Sequence, residues 1–225
     1  MKSLLLALLF AISSQLASAH EMRPSIASLS VDSQGILTLD LVTNLEAWLA
    51  EINPSLSDTN DSPNAEQYDR YRQLDPDALT ALADDASDAL ADAIHIRSGQ
   101  ETVAMTLSGV EVLPVDDPEL PRDTKLQFVG GLPDGADHLV YRVDDRFPNT
   151  AVRLFLTKAD PRVQFVKTGA SSDPLSLDQR VERSVLGLIG EYIELGFTHI
   201  IPRGLDHIIF ILGLTLISKR FIDLV

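Results

Sequence analysis

Cysteine is absent from this chain, so disulfides and thiolate metal sites are both excluded and stability must come from a packed core. Cations are scarce: 18 Lys and Arg stand against 33 Asp and Glu, a formal net charge of −15. That balance argues against nucleic acid or anionic lipid as partners. Catalytic signatures are missing too. There is no Gly-x-Ser-x-Gly, no glycine-rich phosphate loop and no His-Glu-x-x-His, and the chain is read as a non-enzyme. The stretch from Asp58 lacks the glycine and closing glutamate of an EF-hand loop, which excludes that calcium site. The late apolar run Ile208 to Ile217 is about half the ~20 residues needed to cross hydrocarbon.

A span built on that run must therefore include the polar residues before it, giving a predicted transmembrane helix over 196–218. His199, Arg203, Asp206 and His207 stand at i, i+4, i+7 and i+8, one face of a continuous helix at 100° per residue. Charged groups inside a bilayer cost roughly 2.5–3.5 kcal/mol each on insertion scales, so such a stripe reads as functional. Two imidazoles and a carboxylate suit a borderline metal such as Ni, Co, Cu or Zn. Pro202 makes a kink or break in that helix an alternative. The plainer reading is that Arg203 and Asp206 neutralise one another while the histidines cap the end of an ordinary anchor. Glu191, eight residues before His199, extends the stripe outward or is merely wet.

The other end of the chain predicts a compartment. Met1-Lys2, the apolar run Leu4 to Ile12 and Ala17-Ser-Ala19 form a secretory signal over 1–19, with cleavage before His20. Lys219-Arg220 open a cytoplasmic tail, 219–225, placing the intervening domain outside the cytoplasm of a bacterial inner membrane.

Between these ends the dominant pattern is period-two alternation. Strands are predicted at 26–31, 36–42, 102–107, 125–129, 138–143, 151–157 and 162–167, with Asp32-Ser-Gln-Gly35 as a hairpin turn. The fold class is mainly β: a β-sandwich-like extracytoplasmic domain over 20–167 with a helical insertion at about 45–93. Asn44 and Asp75 read as N-caps of two inserted helices, and Pro54 to Ser62 between them reads as a mobile loop. A linker over 168–176 follows, then an amphipathic helix over 177–195 opened by a Ser176/Gln179 capping box.

The segment Gly196-Phe197, His199, Gly204, Asp206-His207 and Ile208 to Leu214 resembles the first span of HupE/UreJ family membrane proteins, in the branch with an extracytoplasmic domain ahead of the spans. The resemblance implies uptake of nickel, with His199, Asp206 and His207 as candidate ligands. Family members carry several further spans, so it also implies a truncated product, a fragment, or assembly with other spans in a homo-oligomer or partner permease. Two other readings stand beside it. A mature N-terminal His20 can chelate copper through its α-amino group and imidazole, with His95 or His138 completing the set. Alternatively, the domain is a metal-free interaction module tethered through a span whose Gly196, Gly204 and Gly213 dock on another helix.

Overall fold

Alternating sequences become strands when one face can be buried, and ten strands form among the residues that the computed structural model describes, 22–113, 121–156 and 161–178. The larger sheet has six: β1 (Ser25–Val31), β2 (Ile36–Thr43), β5 (Thr106–Val112), β6 (Thr124–Gly131), β8 (Thr150–Phe155) and β9 (Arg162–Val166). The smaller has β3 (Ile94–Ser98), β4 (Glu101–Val103), β7 (His138–Val143) and β10 (Leu175–Ser176). The spatial orders are β5-β6-β2-β1-β8-β9 and β10-β7-β3-β4. All neighbours run antiparallel except β1 and β8, which pair in parallel from Ser25 opposite Thr150 to Ser30 opposite Phe155.

Alternation sends Leu29, Leu39, Phe128 and Val152 of the large sheet and Ile96, Leu139 and Tyr141 of the small sheet into one buried cluster. The mainly β character predicted from the sequence is therefore present, organised as two sheets. At one end of the large sheet the core turns polar. Thr150 lies opposite Ser25, and Thr43 lies opposite Thr124; the Ser25 and Thr43 hydroxyls sit 2.7 Å apart, so four buried hydroxyls cross four adjacent strands.

The hairpin between β1 and β2 forms where it was predicted. Asp32 Oδ1 accepts from the N–H groups of Gln34 at 2.8 Å and Ile36 at 2.9 Å, and Gly35 takes the left-handed φ of +78° that the turn requires. Helix α1 (Leu45–Leu49) starts at the predicted cap, with Asn44 Oδ1 accepting from Ala47 N–H at 2.9 Å. Asp75 likewise caps α3 (Pro76–Asp85), which meets α4 (Ser87–Asp92) at Ala86, so the single helix predicted there is bent into two.

Several expectations need correction. A further helix, α2 (Ala65–Arg72), lies between the two predicted ones; only its Tyr68 is buried, so it has no apolar stripe to betray it. The loop Pro54 to Ser62, expected to be mobile, is fastened by buried Thr59 and Ser62 and a short 3₁₀ turn, Thr59–Asp61. The single strand predicted over 102–107 is two strands in different sheets, β4 and β5. Val103 and Met105 are both buried and two residues apart, so alternation continues unbroken while Ala104 and Met105 carry the chain between sheets. Strands β3 and β10 go beyond the predicted set, and β10 falls in the expected linker. Ser176 is a strand residue paired with His138, and Leu177 donates its N–H to Asp137 O at 2.8 Å; a helix does not begin at 177.

Among the described residues no helix is long and apolar enough to cross a membrane. The signal over 1–19, the remainder of the helix to 195, the span over 196–218 and the tail over 219–225 lie outside them.

The sheet crossing is tight. A Cβ on Gly130 would lie 2.6 Å from Ala104 O and 2.7 Å from Met105 Sδ. Gly130→Ala is expected to destabilise the domain by about 1–3 kcal/mol, the usual cost of overpacking. Urea unfolding checks this, and an unchanged midpoint would refute the tightness of the crossing.

Candidate functional site

Of the residues singled out in the sequence, His20, Glu191, His199, Arg203, Asp206 and His207 lie outside the described residues. His95 and His138 lie within them. Both point away from the core of the small sheet, since their neighbours Ile94, Ile96 and Leu139 point into it. His95 faces Arg142 across the β3/β7 ladder, and His138 stands four positions from Arg142 along β7, about 13 Å at the usual strand rise. The two imidazoles therefore cannot hold one ion together. His138 Nδ1 lies 2.5 Å from Asp137 Oδ1. Among the described residues no three His, Cys, Asp or Glu side chains gather as a metal site.

The described domain has its chemistry elsewhere, where the helical insertion meets the polar end of the large sheet. Glu46, on α1, is fully buried. Arg122, just before β6, reaches it with Nε at 2.7 Å from Oε1. The same guanidinium donates to Leu74 O at 2.9 Å and to Tyr71 O at 3.3 Å, so one side chain ties α1, the end of α2 and the turn before α3 to the sheet. Asn44 turns its amide to Tyr68, donating to the phenol oxygen at 2.8 Å. Beside them Arg146, paired with Asp144 at 2.8 Å, lies 4.1 Å from the centroid of the Trp48 ring.

Burial dominates the electrostatics of this junction. It pushes the Glu46 carboxyl above its ordinary 4.5, against the opposing pull of a backbone hydrogen bond and of Arg122. Glu46 Oε2 has no hydrogen-bond partner among the described residues, which suits a group whose charged form is disfavoured. Burial also raises the Tyr68 and Tyr141 phenols. The junction has no nucleophile paired with a base. A buried ion pair and a cation over the Trp48 ring fix the insertion on the sheet.

Sequence reasoning misses these residues because the partners are remote in the chain: Glu46 and Arg122 are 76 positions apart. The only local sign is a glutamate between Leu45 and Ala47 on a short helix whose neighbours are all apolar.

Comparison with known proteins bears on the other end of the chain. Residues 176–225 match the family described as HupE / UreJ protein. That match covers less than a quarter of the chain and agrees with the resemblance drawn from Gly196 to Leu214. No curated protein matches the chain.

Two outcomes test the junction. Arg122→Met leaves a buried carboxylate without its cation and is expected to cost about 3–5 kcal/mol in denaturant unfolding. Because folding raises the Glu46 pKa, its contribution is fully present below about 4.5 and declines as pH rises through the folded value. The stability of Glu46→Gln relative to the natural chain should therefore improve as pH increases above that point. A flat difference between pH 4 and 8 would remove Glu46 as a titrating element of the fold.

Proposed function

We propose that the chain joins an extracytoplasmic β domain to the membrane segment of a HupE/UreJ-type uptake system for a divalent transition metal. Nickel is the cargo implied by the resemblance, and the chain has no enzymatic role. The observation that carries this reading is the overlap of the match over 176–225 with the set His199, Asp206 and His207. Two imidazoles and one carboxylate at helical spacing offer nitrogen and oxygen donors suited to nickel and its neighbours. Arg203 and Glu191 support the stripe, and the groups are costly to keep in lipid without a use.

In this reading the metal is substrate, held transiently on its way across the bilayer. The imidazoles must be neutral to bind it. A pathway for an ion needs walls on every side, which further spans from a longer product, a homo-oligomer or a partner permease supply. The β domain stands on the outer side of a bacterial inner membrane, after removal of residues 1–19.

The test is radioactive nickel accumulation in cells lacking other nickel importers, comparing the natural protein with Asp206→Asn and His207→Ala at equal expression. Each substitution is expected to lower uptake by about tenfold or more, at least the loss seen when a metal's supporting groups are removed. Uptake equal to the natural protein in both would favour the structural Arg203–Asp206 pair instead.

A further inference from the structure

Few acids stand on the strands of the larger sheet: Asp40 on β2 and Glu111 on β5. Strands β1, β8 and β9, which lie side by side at one edge, contain no Asp or Glu at all, in a chain with 33 of them. On their outward face the register aligns Phe165 with Ala151, Ala151 with Ile26, and Ile26 with Val42, an apolar row across four strands. At the edge the row emerges: Phe165 is 51% exposed and Val163 44%. Two cations frame it, Arg153 in register with Val163 and Lys167 following the strand.

The chain also leaves the described domain at this edge. The Arg162 guanidinium donates to the carbonyls of Ser176 at 2.5 Å and Asp178 at 2.6 Å, pinning the exit beside the start of β9. Ser176 is where the HupE / UreJ match begins.

We propose that the β1/β8/β9 edge is a membrane-resting surface: Phe165 enters the headgroup–acyl boundary of a phospholipid bilayer, while Arg153 and Lys167 meet the lipid phosphates. An exposed aromatic beside basic side chains is the combination that binds such a boundary. Because β1, β8 and β9 carry no acid, the repulsion of the chain's net negative charge from an anionic surface is weakened along this edge. This inference rests on the reading that residues 196–218 cross a bilayer.

The full chain is reconstituted in nanodiscs of phosphatidylcholine and phosphatidylglycerol, with or without phosphatidylcholine brominated near the headgroup, as Phe165→Trp and as the natural sequence. The natural Trp48 is buried and supplies the background. Trp at 165 is expected to emit at shorter wavelength than in water and to lose roughly half of its added emission to the brominated lipid, as suits burial ~5–10 Å into the boundary. Adding Arg153→Glu and Lys167→Glu to the Trp chain should reverse most of that loss. A chain that enters the discs yet shows water-like, unquenched emission at 165 overturns the inference and leaves the membrane tether standing. Blue-shifted emission indifferent to bromine and dependent on protein concentration assigns the face to a second copy, which also overturns it. A chain that stays out of the discs overturns the tether and this inference together.

Discussion

The buried contact between Arg122 and Glu46 is the constraint on which the described domain is organised. Neither charge would be stable there alone, because desolvating an unpaired ion costs several kcal/mol. Their meeting therefore fixes where the insertion can lie: α1 must present Glu46 to the start of β6, and the carbonyls of Tyr71 and Leu74 must turn toward the same guanidinium. Trp48, two residues from Glu46, is thereby set against Phe147 at 5.9 Å between centroids, with Arg146 over its ring. A pair of this kind is weak evidence for high stability. Its contribution is to make one docking of the helices much better than its neighbours.

Much of the β architecture was legible because burial on one face imposes a period of two, and β1, β2, β6, β7, β8 and β9 all carry it. The caps at Asn44 and Asp75 were legible for a local reason: a side chain three residues before a free N–H has few other tasks. What escaped is what depends on remote partners or has no periodicity. Helix α2 buries a single tyrosine, β4 and β5 share an unbroken alternation across a change of sheet, and β10 is two residues long and defined by its pairing with β7. The polar junction was invisible for the same reason, since no spacing rule connects residue 46 with residue 122.

The candidate metal site divides differently. His199, Asp206 and His207 stand at helical spacing in the sequence but lie outside the described residues, and the family match over 176–225 covers the stretch they occupy. For His95 and His138 the sequence offered only residue type. Strand register sets His95 of β3 opposite Arg142, four positions along β7 from His138, which is what a reader of sequence without register has no means to see. Chemistry that depends on which strands become neighbours was not readable.

The parallel pairing of β1 with β8 has a consequence for how the domain comes into being. β1 is interior to the large sheet, flanked by β2 on one side and β8 on the other, yet β8 is more than half the chain's length away in sequence. β1 is thus synthesised well before the strand that satisfies its second edge. Closing so long a loop defers the reward for the entropy spent, and topologies of this kind fold slowly. Until residues 150–155 arrive, the hairpin β1–β2 offers an open edge of unpaired backbone groups to any extended peptide nearby.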